Sequence, residues 1–422
     1  MGNQIVYLSD GPSNQRNRFH GNPTMVDIAT AALFIIAIGA SFFAAWTIGA
    51  GSSGSTPFAP AVGAHAMTTM QAAFVVGLLA LAGAVLQGAA ITETIGEGLI
   101  EGPSLSPVAA VLALLIASTY IAVGVFRGYP IATAFAITGS IVGVGLAMGG
   151  DPAWGTYTEL IAYWILTPVV VAPPVYVLTK MLRGERFSQR SMLTMLGGAV
   201  GLVIANMEFL FLGEDGEEAS LAATIGGYIP LDPAISLIVV TGFIGVVCGG
   251  LAYKDSTRDK TGAQRRFLLV LGALVAFTAG AGKVGLAVGP LLPLMGEAPV
   301  TITITHVLIF GGLGMLLGTW MASPRMIKAL TQDYSMLGPR RSIAILIPSF
   351  VIAQVGVFLG LPMSFNQIFI SAIAATGYAV GAKTVSERKL VITAAAWVGS
   401  IIFGLAVGFG AYTAYDVITT LL

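Results

Sequence analysis

Lys283 is the residue most in need of an explanation. It lies in Ala276–Leu291, AFTAGAGKVGLAVGPL, an apolar stretch with four glycines that closes on Gly289-Pro290. A cation at the centre of a membrane helix costs about 2.5–3.5 kcal/mol on insertion scales. Lys283 therefore needs a cavity, an anionic partner or a route for its ammonium back to the interface. Two soluble-protein readings fail. Gly280 to Gly285 spells G-x-G-x-x-G, but a dinucleotide site needs a preceding strand and a later acidic residue, and the flanks here are long apolar runs. A P-loop needs Gly where Phe277 stands and Ser or Thr where Val284 stands.

The other polar groups of the apolar regions fall into two kinds of place. Ser52, Ser53, Ser55 and Thr56 follow Gly49-Ala-Gly51, and Thr133, Ser364 and Asn366 follow Pro130 and Pro362. Hydroxyls, the N–H groups of helix starts and one positive charge are what a phosphate-like anion binds. With Lys283, these seven residues form the candidate substrate site. Any one membrane hydroxyl serves its own helix as readily as a ligand; together they point to an oxyanion. No catalytic residue and no metal ligand is assigned. No nucleophile–base pair stands out, the lone Cys248 reads as helix filler, and the Glu214–Glu218 run lacks a full calcium-loop pattern. Glu208 reads as interfacial, and His65 and His306 as structural hydrogen-bonders.

The chain carries this pattern twice. Trp46-Thr-Ile-Gly-Ala-Gly51 matches Phe277-Thr-Ala-Gly-Ala-Gly282, and Gly128-Tyr-Pro130 matches Gly360-Leu-Pro362. Each proline is followed 15 positions later by a glycine, Gly145 or Gly377, and then by Gly149 or Gly381. Gly49 to Pro130 spans 81 positions and Gly280 to Pro362 spans 82. Ordered motifs at matched spacing indicate an internal duplication.

At these residues the sequence resembles the inorganic phosphate transporter (PiT) family, which carries G-A-N-D-V-A-N-A-x-G-P-L and P-V-S-T-T-H in each half. Gly280–Leu291 follows the second copy of the first motif, and Gly49–Gly63 the first copy with a one-residue ambiguity after Gly51. Pro130–Phe135 and Pro362–Gln367 stand at the second motif, and Leu86–Ile95 is similar to the family's V-x-E-T-I flank. Gly282-Lys283 replaces the Asn-Asp pair in one copy, Ser52-Ser53 (or Gly51-Ser52) in the other, and Phe135 and Gln367 replace the histidines. The resemblance implies phosphate transport powered by sodium or protons. The motif carboxylates are absent, so the coupling ion, Na+ or H+, is left open, and no cofactor is expected.

The surrounding elements must be membrane helices. Of 422 residues, 56% are apolar and 9% charged, against about 25% charge in soluble domains. Apolar runs near 26–48, 70–91, 107–126, 130–149, 157–181, 192–213, 234–253, 267–282, 300–322, 342–360, 363–382 and 390–418 predict about twelve spans of about 20 residues. Gly49–Met67 and Lys283–Ala298 read as broken or re-entrant, which is tolerated where protein or a cavity covers the backbone. With the runs alternating across the bilayer, 17 of the 20 Lys and Arg fall on one side, which the positive-inside rule makes cytoplasmic. Both termini are then extracellular. Gly-x-x-x-Gly pairs (Gly139/Gly143, Gly145/Gly149, Gly377/Gly381) read as packing surfaces.

The expected architecture is an all-α polytopic membrane protein with two inverted five-helix repeats. Residues 1–25 form an extracellular segment, 26–181 the first repeat, 182–266 two linking helices with basic loops, and 267–422 the second repeat. Inverted repeats with paired broken helices mark secondary transporters that bind substrate near the midplane. The expected function is inorganic phosphate transport across the plasma membrane by alternating access. Another oxyanion such as sulfate, or a non-transporting sensor of the same fold, are the alternatives. Neither an enzyme nor a nucleic-acid partner is indicated; a lipid bilayer is, and a homo-oligomer is compatible with the sequence.

Overall fold

The computed structural model describes residues 28–102, 104–184, 188–213, 218–295, 302–331, 337–381 and 386–421. The extracellular segment predicted for residues 1–25 and most of the Glu214–Glu218 run lie outside these residues. The first half holds α1 (Ile28–Ile48), α2 (Ala59–Gly63), α3 (Thr69–Gln87), α4 (Ala89–Glu97), α5 (Pro107–Arg127), α6 (Thr133–Ala147) and α7 (Trp154–Arg183). Next come α8 (Gln189–Ala205), α9 (Leu221–Gly226) and α10 (Pro233–Arg258). The second half holds α11 (Lys260–Val288), α12 (Leu292–Met295), α13 (Ile304–Ala329), α14 (Pro339–Phe358), α15 (Phe365–Val380) and α16 (Glu387–Leu421). Nine of these are long and apolar enough to span a bilayer, and α6, α8 and α15 are shorter apolar helices.

Local chemistry sets many of the boundaries. Ser106 caps α5 through Ala109 N–H, Pro107 occupies its first turn, and Gly128 ends it at φ +75°. A capping box of Thr68 and Gln71 opens α3, and Thr303 with His306 opens α13, giving His306 the hydrogen-bonding role expected of it. The run read as 192–213 stops at Ala205, because Glu208–Phe209 leaves the helix to pair with Ala219–Ser220. Glu208 thus stands outside the helices. Gly139 and Gly143 bring α6 against the α16 backbone at Ile401 and Leu405. Gly149, by contrast, has open space at its Cβ position and φ +82°. Gly381 also has open space there, at φ +140°. Both serve as turn residues rather than packing surfaces, because a positive φ favours glycine.

Burial separates centre from rim. In α14 and α11, 72% and 67% of the most apolar window is buried, against 22% in α10 and α16. Val169, Ile235, Val246 and Ile402 are exposed, as side chains facing lipid are. The two core helices both pack on α2, whereas the Gly49–Ser53 turn packs chiefly on α13.

The duplication is built into the contacts. Gly83 lies on the carbonyl of Phe277 and Gly318 on that of Trp46, while Gly280 lies on Ala80 and Gly49 on Met315. At each of these glycines an added Cβ would overlap a backbone oxygen. Trp46 and Phe277 differ by 231 positions, as do Gly49 and Gly280; Gly83 and Gly318 differ by 235, as do Ala80 and Met315. One set of backbone-to-backbone approaches therefore occurs twice, each time between the first long helix of one half and the second of the other. The ends repeat the exchange, α6 packing on α16 and α15 on α7.

Candidate functional site

The first break arises from one extra residue. Gly49 to Pro60 spans 11 positions, whereas Gly280 to Pro290 spans 10. A π turn over Gly49–Ser53 absorbs the difference, closed by Gly54 N–H donating to Gly49 O at 2.9 Å. Such single π turns accommodate an inserted residue and occur often at functional sites. Thr319 Oγ1 donates to the same Gly49 carbonyl at 3.2 Å. The chain then turns into α2, as the broken-segment reading requires.

The second segment departs from expectation. It does not break at Lys283: α11 runs unbroken to Val288, and only Gly289–Leu291 tightens into a 3-10 turn before α12. Its glycines offer no exposed amides. Each costs the helix about 1 kcal/mol relative to Ala, which close packing outweighs here: Gly280 abuts Ala80, and Gly285 abuts Ile91 and Thr92 of α4. Pro290, which lacks an N–H, sets the end. Lys283 therefore projects from a rigid helix.

All eight predicted site residues are buried, and the structure sorts them by what their protons do. Lys283 is fully buried and its Nζ donates to Ser52 Oγ, the residue 231 positions before it. Positions equivalent in the two copies thus meet. The ammonium also lies 5.0 Å from the centroid of the Phe365 ring. Ser53, Ser55 and Thr56 donate to backbone carbonyls of their own turn, Ile48 at 3.2 Å and Ser52 at 3.4 and 2.8 Å. In this conformation they have no proton left for an anion. Ser52 and Ser364 act as acceptors, Ser364 from Gln367 N–H at 3.3 Å as the cap of α15, and Thr133 Oγ1 is buried without a partner. Those three hydroxyls keep their protons available.

The proline motifs deliver the remaining groups as expected, each opening a helix three residues on, α6 at Thr133 and α15 at Phe365. Gly128 and Gly360 precede them with φ of +75° and +62°. Trp164 Nε1 of α7 donates to Pro362 O at 3.0 Å, and Trp397 Nε1 of α16 donates to Pro130 O at 2.9 Å. Each half thereby anchors the other half's motif. Asn366 Nδ2 donates to Gly51 O at 3.2 Å and to Ile131 O at 2.6 Å, tying the π turn to the first proline motif, while Oδ1 has no partner.

Sequence reasoning missed Phe365 beneath the ammonium, the Thr278–Gln354 bond at 3.0 Å and the Gln367–Trp164 bond at 2.7 Å. The signal for Phe365 was its place between Ser364 and Asn366; the others depend on cross-half packing. The ion pairs of Arg266 with Asp255 and Asp259 are exposed and sit near the start of α11, Arg266 being 17 residues before Lys283 on the same helix. Among the described residues no carboxylate pairs with the buried ammonium. Its effective desolvation penalty is several kcal/mol, and a ring face supplies about 0.5–2 kcal/mol, so the site carries a deficit that an anion would cancel. A cavity of about 710 Å³ opens beside the end of α2, lined in part by His65, Thr68, Arg265 and Lys328.

Comparison with known proteins finds relatives along most of the chain. The model of a phosphate transporter family matches residues 48–408. A protein named as a phosphate permease in Thermococcus kodakarensis is 28% identical over 384 residues, covering 85% of this chain and 92% of its own. "Inorganic phosphate transporter 2-1, chloroplastic" of Arabidopsis thaliana is 26% identical over 418 residues, covering 86% and 69%. A solved structure described as the sodium-dependent phosphate transporter superposes with a TM-score of 0.77 at 21% identity, covering 92% of this chain and all of the other. At that identity the likeness shows the fold.

Proposed function

The chain belongs to the phosphate transporter family, and we propose that it carries inorganic phosphate across the plasma membrane by alternating access between its two duplicated halves. The observation that carries the site assignment is Lys283, an ammonium buried where the two copies meet and, among the described residues, without a carboxylate partner. Phosphate would bind against Lys283 with the free protons of Ser52, Thr133 and Ser364. Ser53, Ser55 and Thr56 would hold the π turn in shape. Twelve helices in inverted five-helix repeats are the arrangement we infer, with the termini extracellular and Arg265 and Lys328 on the cytoplasmic side. The cavity they line would act as an anion vestibule, its positive charge raising the local phosphate concentration.

The coupling follows from the same residue. Lys283 supplies inside the site the positive charge that a bound cation would bring, so uptake proceeds without sodium. The test is radiolabelled phosphate uptake into proteoliposomes with and without a sodium gradient. Equal uptake in both supports this reading, and strict sodium dependence overturns the role given to Lys283. Lys283→Ala should abolish uptake under both conditions.

A further inference from the structure

We propose that Asn366 makes the site selective for oxyanions that carry a proton, admitting phosphate and arsenate and rejecting sulfate. The inference rests on the phosphate-binding reading of the site. Its starting point is the orientation of one amide. Both atoms facing Asn366 Nδ2, Gly51 O and Ile131 O, are carbonyl oxygens, at 3.2 and 2.6 Å. Only an N–H can face a carbonyl, so the NH2 end is fixed and the flip is excluded. Oδ1 is therefore the free end. It is buried, and among the described residues no donor reaches it.

A buried acceptor without a donor is costly, and native interiors rarely contain one. Here the orphan belongs to the cluster that holds the ammonium. Asn366 follows Phe365, whose ring lies under Lys283 Nζ, and its amide bonds the residue that precedes Ser52. The other groups there can all donate, the ammonium and the hydroxyls of Ser52, Thr133 and Ser364, whereas Oδ1 can only accept. Donors recognise any tetrahedral oxyanion. One acceptor among them recognises a P–OH, because sulfate would set an unprotonated oxygen against Oδ1 with no hydrogen between them. Phosphate carries at least one such hydroxyl in both of its forms near neutral pH, so the discrimination does not depend on net charge.

The experiment is competition against radiolabelled phosphate uptake by unlabelled phosphate, arsenate and sulfate, for the wild type and Asn366→Ser. Arsenate should compete like phosphate, and sulfate should need about 10- to 100-fold more for the same inhibition, the range expected when a buried polar atom is left unmatched. A serine hydroxyl can rotate to donate, so the variant should narrow the sulfate gap several-fold. A purely structural Asn366 would lower uptake with the ratio unchanged, and that result overturns the assignment. Should the variant not fold, wild-type competition decides alone, since sulfate competing as well as phosphate overturns it equally. No phosphate uptake by folded wild-type protein would instead overturn the reading on which this one rests.

Discussion

The two broken segments descend from one pattern and do different work. In the first copy an additional residue winds Gly49–Ser53 into a π turn and releases the chain into α2. In the second, α11 passes through the equivalent glycines intact and presents Lys283. One side of the site is thus irregular backbone rich in hydroxyls, and the other a straight helix bearing a charge. The difference teaches how a duplicated pair can diverge: the glycine contacts stay paired at constant spacing, while one residue of insertion and one change of charge type separate the roles.

The strongest way to break this comparison is to remove the charge. Lys283→Met should lower phosphate uptake by about 100-fold or more, to the level of empty liposomes. It should also raise the melting temperature of the purified protein, because an apolar side chain of similar size is freed of the several kcal/mol of desolvation that a buried charge carries. Loss of both activity and stability would mean that Lys283 is structural. Next in size is deletion of Ala50, which gives the first copy the spacing of the second. Without the extra residue the π turn reverts to an ordinary helical turn and Ser52 moves back by one position, about 100° around the axis, away from the ammonium, so uptake should fall at least tenfold while the chain still inserts.

Smaller effects test whether the shared frame is equivalent. Gly49→Ala and Gly280→Ala would each place a Cβ against a backbone carbonyl, that of Met315 or of Ala80. Both should lower thermal stability by about 1–3 kcal/mol, the cost of overpacking, and by similar amounts. A large inequality would show that the two contacts do not bear equal strain. The smallest effect lies outside the spans. Burial pushes the Glu218 carboxyl up to about 7, opposed by its bond from Ala89 N–H and reinforced by Glu208 and Glu93. The folded protein therefore keeps a proton there that an unfolded carboxyl loses near pH 4.5. This contribution to stability is complete below that pH and is lost as pH rises through about 7. Glu218→Gln should flatten that part of a melting profile measured from pH 4.5 to about 8.

Most of the frame was legible because it rests on residues with fixed backbone meaning. Gly128 and Gly360 announce positive φ, Pro130 and Pro362 announce helix starts, and long apolar runs in a membrane protein become helices with little ambiguity. Lys283 was legible because a lone charge in such a run demands a partner. The extent to which a glycine-rich segment stays helical could not be read. Gly280, Gly282 and Gly285 weaken a helix in isolation, and only the opposing backbones of Ala80 and Ile91 determine that it persists. The sorting of hydroxyls was hidden for a similar reason. Ser52 and Ser53 are indistinguishable in sequence, and the pitch of the π turn alone sends one to Lys283 and the other to Ile48.

The tryptophan bonds also bear on how the protein is made. Trp397 reaches back to Pro130 across 267 positions of chain. During synthesis the first proline motif therefore enters the membrane long before its anchor exists, and it waits, half-assembled, until α16 has been translated. A ribosome that stalls within the second half leaves a chain whose first half can insert but whose motif has nothing to hold it. Anchoring of the first proline motif is in this way a late step in assembling the site.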